Sequence, residues 1–79
     1  MKELERYNRV FMSIFEVDEE SLNDDLAYGK IKNWDSITHL SLVTEMEDEF
    51  DLMLDSDDIL DFMSYKSGKK IMAKYDILV

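Results

Sequence analysis

Apolar residues recur along this chain at the three- and four-residue spacing of an α-helix, and no segment alternates convincingly with the two-residue period of a β-strand. The first such stretch predicts a helix over about residues 2–16. Its apolar face carries Leu4, Tyr7, Phe11, Ile14 and Phe15. The pattern indicates an all-α fold in which each helix buries one face.

A second helix is predicted to open at Asp35 and Ser36, either of which can cap its first N–H groups. It should end near Phe50. Its apolar stripe comprises Ile37, Leu40, Val43, Met46 and Phe50, widened by Leu42. This stripe should face the core of the protein.

Two further helices are predicted in the second half of the chain. Ser56 is typical of an N-cap, with Asp57 and Asp58 in the first turn of a short helix through about Phe62. Ser67 can cap a last helix. That helix carries the apolar residues Ile71, Met72 and Tyr75. The expected architecture is a single domain, residues 1–79, built as a small bundle of three main helices and one short helix.

The helical pattern lapses in residues 17–34, between the first two helices. Turn-forming residues in this segment are interspersed with apolar anchors. The anchors are Leu22, Leu26, Tyr28 and Ile31. We expect a long loop that is strapped across the helices and ordered by its own apolar residues.

The composition argues against several classes of protein. The chain has no Cys, so it forms neither a disulfide framework nor a thiolate metal site. Nine Lys and Arg stand against nineteen Asp and Glu, which argues against binding to nucleic acid or to an anionic membrane. The N-terminal residues contain no uninterrupted apolar run, so neither a signal peptide nor membrane insertion is expected. We expect a cytoplasmic monomer.

The negative charge is concentrated in residues 35–61, which hold ten acidic residues and no Lys or Arg. Residues 1–34 carry a net charge of -3, and residues 62–79 carry +3. Such a run is commonly a solvated face that keeps a small protein in solution. It also suits docking on basic partners, because complementary fields speed encounter and set orientation. Composition alone leaves both interpretations open.

One group of residues invites an interpretation as a hydrolase site. Asp35, Ser36 and His39 are the residue types of a nucleophilic triad, but no buried acid is evident to orient the imidazole, and no oxyanion hole is apparent. A lone His on a helix is more often a surface residue than a catalyst. We therefore expect that the protein is not an enzyme.

The acidic run Asp55–Asp58 begins like a calcium-binding loop. Leu60 stands where such a loop needs Gly, and Lys66 stands where it needs a bidentate Glu. A dedicated metal site is therefore not expected.

The segment Trp34-Asp35-Ser36-Ile37 joins the long loop to the most acidic helix, which closes with Glu45-Met46-Glu47-Asp48-Glu49-Phe50. This pattern resembles the acyl carrier protein family, whose hallmark is Asp-Ser-Leu at the start of the second helix, then a hydrophobic stretch and an acidic ending with Phe. The resemblance covers essentially the whole chain, including the long first loop and the short third helix. Ile37 replaces the usual Leu, which is a conservative change.

The resemblance implies that Ser36 is the attachment point of 4'-phosphopantetheine, added from coenzyme A by a phosphopantetheinyl transferase. The thiol of that arm would carry an acyl or aminoacyl group as a thioester. Asp35 would help place the hydroxyl, and Ile37 would contact the transferase. Acyl-activating, acyltransferase or synthase enzymes would dock through basic patches. The acidic residues that meet those patches would be Glu47, Asp48, Asp57, Asp58 and Asp61.

Departures from the carriers of primary fatty-acid synthesis indicate a specialised acyl, polyketide or peptide pathway. Thr38, Ser41 and Thr44 replace residues common in those carriers, and Trp34 is more familiar in specialised ones. The alternative function is an unmodified acidic interaction module, or a nucleic-acid mimic, with the same fold. A further open point is whether the bundle encloses its cargo. Five residues either fill the interior or line a cavity for it: Leu40, Val43, Met46, Phe62 and Ile71.

Overall fold

The computed structural model describes residues 2–79 and contains four α-helices. They are Glu3–Phe15 (α1), Ser36–Phe50 (α2), Ser56–Asp61 (α3) and Tyr65–Ala73 (α4). No β-strand forms within residues 2–79, although two isolated bridges occur in the loops. The prediction of three main helices and one short helix is confirmed. Met1, which belongs to the predicted domain 1–79, lies outside the described residues.

Two helix caps differ from the predicted ones. Asp55, not Ser56, is the N-cap of α3, and its side chain makes no capping hydrogen bond. The N-cap of α4 is Ser64, whose Oγ accepts a hydrogen bond from the Ser67 N–H at 2.9 Å. Ser67 Oγ in turn accepts from the Ser64 N–H at 3.0 Å. This is a capping box in which a Ser takes the place usual for Glu or Gln. The prediction of Ser67 as the N-cap is therefore wrong, because Ser67 is the third residue of α4.

The core is an aromatic cluster centred on Phe11 of α1. Its ring centroid lies 5.0 Å from that of Tyr7, 5.2 Å from that of Tyr65 and 6.2 Å from that of Phe62. The ring of Trp34, at the end of the long loop, also belongs to the cluster, with its centroid 6.1 Å from that of Phe11. The rings of Tyr65 and Trp34 meet Phe11 edge to face, the Tyr7 ring is tilted and the Phe62 ring is stacked, all at separations that aromatic pairs favour. The cluster therefore joins α1, α4 and the residue that precedes the Asp35-Ser36 pair.

The Tyr7 hydroxyl is a buried polar group of this cluster. It donates a hydrogen bond of 2.6 Å to the Tyr65 carbonyl oxygen. Burial, with a smaller contribution from Tyr65, raises the pKa of Tyr7 far above its ordinary value. The hydroxyl therefore stays protonated and remains a donor, which ties α1 to the start of α4.

The inward face of α2 differs from the predicted stripe. Ile37 is 78% exposed and Leu40 is 61% exposed, so neither of them faces the core as predicted. The buried residues of α2 are His39, Leu42, Val43 and Met46. Repeated steps of three residues drift around a helix, whereas positions 39, 42, 43 and 46 stay on one side of it. Because the predicted stripe followed steps of three residues, it wrongly placed Ile37 and Leu40 on the core face.

The long loop is strapped across the bundle as predicted. Leu26 is buried, and its carbonyl oxygen accepts a hydrogen bond of 2.9 Å from the Tyr65 N–H. The Tyr28 N–H donates to the Met63 carbonyl oxygen at 2.7 Å. Leu22 and Ile31 pack partly buried against the core, while the Tyr28 ring is exposed. These two backbone hydrogen bonds hold the middle of the loop against the start of α4, before the chain enters α2.

Candidate attachment site at the start of α2

Ser36 is the first residue of α2 and is exposed. Asp35 caps the helix, because its Oδ1 accepts a hydrogen bond of 2.8 Å from the Thr38 N–H. This hydrogen bond lowers the pKa of the Asp35 carboxyl, which is therefore ionised at neutral pH. Of the two predicted capping residues, the structure assigns the role to Asp35. Capping thus does not depend on the Ser36 hydroxyl.

The position of Ser36 suits an exposed group that bears negative charge. The start of an α-helix leaves backbone N–H groups unpaired and carries the positive end of the helix dipole. α2 has 15 residues, so the dipole is well developed. A phosphodiester on Ser36 would lie at an end of the helix that favours anions.

His39 lies one turn further along α2 and links the loop to α3. Its Nδ1 accepts a hydrogen bond of 3.1 Å from Trp34 Nε1, and its Nε2 donates to the Ile59 carbonyl oxygen at 2.8 Å. An indole N–H can only donate, so Nδ1 is the acceptor, and Nε2 carries the ring proton that is donated to the Ile59 carbonyl oxygen. We call this arrangement the His39 bridge: Trp34, His39 and the Ile59 carbonyl.

The structure contradicts the expectation that His39 is a surface residue. His39 is only 8% exposed, and it is buried because both of its ring nitrogens find hydrogen-bond partners inside the protein. The arrangement of a nucleophilic triad is not formed, since His39 is hydrogen-bonded to Trp34 and Ile59 and the Asp35 carboxylate caps the helix. The His39 bridge instead fixes Trp34, the residue immediately before Asp35, against α3.

An open groove lies beside Ser36, between α2 and α3. Its volume is about 290 Å³, and it is lined by Tyr28, Ser36, His39, Leu40, Ile59, Leu60 and Met63. A second surface depression of about 350 Å³ lies on the outer face of α2, lined by Ile37, Leu40, Ser41, Thr44 and Glu45. The exposed side chains of Ile37 and Leu40 thus give Ser36 apolar surroundings.

The five acidic residues predicted for docking fall into two groups. Asp48, Asp57 and Asp61 are exposed. Glu47 is half-buried, and its Oε2 accepts a hydrogen bond of 2.8 Å from the Leu54 N–H. Its carboxylate therefore holds the chain segment that follows α2.

Asp58 is buried, with 3% exposure, and its carboxylate pairs with the Lys74 ammonium group. The same carboxylate accepts a hydrogen bond of 2.6 Å from the Tyr75 hydroxyl. These two hydrogen bonds lower the pKa of Asp58, and the pairing raises the pKa of Lys74. Asp58 joins α3 to the end of α4, so the predicted docking set narrows to the three exposed acids.

Among residues 2–79, no group of three or more His, Cys, Asp or Glu is arranged to hold a metal ion. The run Asp55–Asp58 does not gather its carboxylates around one point. No helix in this part of the chain has the length and apolar character needed to cross a membrane. Comparison with protein-family models gives no match, and comparison with curated proteins gives none either.

Proposed function

We propose that this protein is an acyl carrier that receives 4'-phosphopantetheine on Ser36 and delivers acyl or aminoacyl groups to partner enzymes. The observation that supports this most strongly is the Asp35-Ser36-Ile37 motif at an exposed helix start, where Asp35 provides the cap. The long strapped loop before it and the short α3 after it match the architecture that the motif implies. The pathway we propose is a specialised acyl, polyketide or peptide pathway.

In the proposed modification, the Ser36 hydroxyl is the nucleophile and the transferase supplies the catalysis. Ser36 Oγ would form a P–O bond with the pantetheine phosphate of coenzyme A, while the bond from that phosphate to the adenosine bisphosphate breaks. The hydroxyl proton would pass to a base of the transferase. The attached arm then supplies a thiol that holds the acyl group as a thioester.

The residues around Ser36 fit this role. Asp35 is fixed by the Thr38 N–H, which stabilises the turn that presents the Ser36 hydroxyl. Ile37 is largely exposed and offers an apolar contact next to the modified residue. The transferase can reach both side chains without unfolding the helix.

Partner docking in this proposal is weak and steered by charge. The exposed acids Asp48, Asp57 and Asp61 attract basic patches at long range, while exposed apolar residues near Ser36 make short-range contacts. A tethered thioester has a high effective concentration at a docked enzyme, so tight binding is unnecessary. The proposed partners are the transferase and acyl-activating, acyltransferase or synthase enzymes with basic surfaces.

Intact-protein mass spectrometry tests the proposal after incubation with coenzyme A, magnesium and a permissive phosphopantetheinyl transferase. The wild type should gain the mass of one phosphopantetheine. Ser36→Ala should gain none, whereas Ser41→Ala, an exposed Ser of the same helix, should be modified like the wild type. Circular dichroism should show that both variants are folded.

The same experiment distinguishes the alternative of an unmodified acidic interaction module. If folded wild-type protein gains no mass with several transferases, the carrier proposal fails. An interaction module would then tolerate Ser36→Ala in a pull-down with a basic partner. It would lose binding when Asp48, Asp57 and Asp61 are changed together to Asn.

A further inference from the structure

The interior of the bundle has little room for cargo. Four of the five residues that were candidates to line a cavity are buried and packed in the core: Val43, Met46, Phe62 and Ile71. The fifth, Leu40, is exposed and lines the open groove between α2 and α3. The space next to Ser36 is therefore the open groove between α2 and α3, not an enclosed cavity.

The His39 bridge closes the inner side of this groove. Ser36 and His39 lie one turn apart on α2, and both line the groove opposite Ile59 and Leu60 of α3. The imidazole extends from α2 to the Ile59 carbonyl of α3. A chain attached at Ser36 that entered the core between these helices would have to displace the imidazole.

Displacing the imidazole would be unfavourable because an alkyl chain has no polar atoms to replace it. The Trp34 N–H and the Ile59 carbonyl would both lose their hydrogen-bond partner, and Trp34 is itself buried. Burial of each methylene offsets part of this loss, so short chains are least able to enter. Polar acyl groups gain even less from burial.

We infer that the His39 bridge closes the bundle to cargo, so the acyl group carried through Ser36 stays on the outside of the protein. The class of cargo that this arrangement suits is a short or polar acyl group, including an aminoacyl group, because such a group has little apolar surface to shield from water. The inference rests on the proposed carrier function and deepens it.

The test compares acetyl and octanoyl forms of the protein, prepared by loading the apo protein with acetyl- or octanoyl-coenzyme A and a permissive transferase. Cleavage of each thioester by hydroxylamine is followed by intact mass. In the wild type, the two forms should react at rates within about twofold of each other, because neither thioester is excluded from water. An octanoyl form that reacts many times more slowly than the acetyl form would overturn the inference.

A second readout in the wild type is the indole N–H resonance of Trp34, the single Trp of the chain. Because this N–H donates to His39, its NMR signal reports directly on the bridge. The signal should be the same in the unacylated and octanoyl forms. A large displacement on octanoylation would show that the chain opens the bridge and would overturn the inference. This measurement needs no variant and is independent of whether His39 can be replaced.

His39→Ala is the matched variant, with Ser41→Ala as the control on the exposed side of the same helix. Removing the imidazole should let the octanoyl chain enter, so its thioester should become slower to react than in the wild type. Equal reactivity of the octanoyl thioester in folded His39→Ala and in the wild type would show that His39 is not the barrier. Failure of the loading itself would instead refute the carrier proposal, so the two failures are distinguishable by mass.

Discussion

Gly68→Ala tests the close approach of α4 to α1. A Cβ atom on the buried Gly68 would overlap the Tyr7 hydroxyl and lie 2.6 Å from Cζ and 2.7 Å from Cε1 of Phe62. The rings of Tyr7 and Phe62 are both fully buried, so neither can swing into solvent. The substitution should therefore disturb the aromatic cluster and the hydrogen bond from Tyr7 to the Tyr65 carbonyl.

The magnitude follows from three opposing effects. Alanine is favoured over glycine inside a helix by about 1 kcal/mol. Forcing a methyl group into a filled core costs about 1–3 kcal/mol. Separating the Tyr7 hydroxyl from its buried acceptor costs about 1–3 kcal/mol more. We expect the free energy of unfolding to fall by about 3 kcal/mol, a large part of the stability of so small a domain.

Urea denaturation followed by the fluorescence of the buried Trp34 measures the change. Lys66→Ala, an exposed change in the same helix, should alter the free energy of unfolding by less than about 0.5 kcal/mol. Tyr7→Phe removes the overlapping oxygen, so the double variant with Gly68→Ala should lose less stability than the sum of the two single changes. Full stability in Gly68→Ala, or strict additivity in the double variant, would refute the packing described for α1 and α4.

Three other predictions concern the acidic residues. Glu47→Ala should lower the free energy of unfolding by about 1–2 kcal/mol because the Leu54 N–H loses its partner, whereas Asp48→Ala should be nearly neutral. Equal losses for the two variants in urea denaturation would contradict the structural role given to Glu47. Asp58→Asn should be less stable than the wild type at neutral pH, and the difference should disappear as pH falls below the ordinary Asp pKa of 3.8 and through the lowered folded-state value. A difference that does not shrink in thermal melts as pH falls from neutral to well below 3.8 would show that the charge of Asp58 is not its source. The double change Asp48→Lys and Asp57→Lys should slow phosphopantetheinyl transfer at low salt, with the difference shrinking in high salt; an unchanged rate and salt dependence would place the docking surface elsewhere.

The helices were predictable from sequence because their apolar spacing is a local property. The burial of each residue was less predictable, because several apolar stripes can be drawn along one helix. The exposed Ile37 and Leu40 are examples. The core face of α2 was set by the packing of Leu42 and Met46 against the other elements. That information lies in the tertiary structure and not in α2 alone.

Part of the candidate site was likewise predictable from local sequence, and part depended on tertiary packing. The exposed Ser36 and the capping Asp35 follow from a local motif at the end of a loop. The His39 bridge depends on an acceptor in α3, twenty residues further along the chain, which no local pattern indicates. One signal was available, since His39 shares a helical face with the apolar residues at 42, 43 and 46. A polar residue on a core-facing stripe needs internal partners, so that spacing could have indicated a buried histidine.

The buried Asp58 was missed for a related reason. In sequence it is one of several acids in a run, and nothing local separates it from the exposed Asp57. Its partners are Lys74, the C-cap of α4, and Tyr75, which was predicted to lie on the last helix but follows the end of α4 at Ala73. Both meet Asp58 only when α3 and α4 pack. Charge density along a sequence thus overstated the acidic surface that is free to dock.

Whether Ser36 bears the arm of a carrier can be read from the mass of the protein isolated from the cells that make it. We expect part or all of the chain to carry one phosphopantetheine, with or without an acyl group, and peptide mapping to place it on Ser36. Protein that is entirely unmodified, or that carries the group on another residue, would refute the carrier proposal.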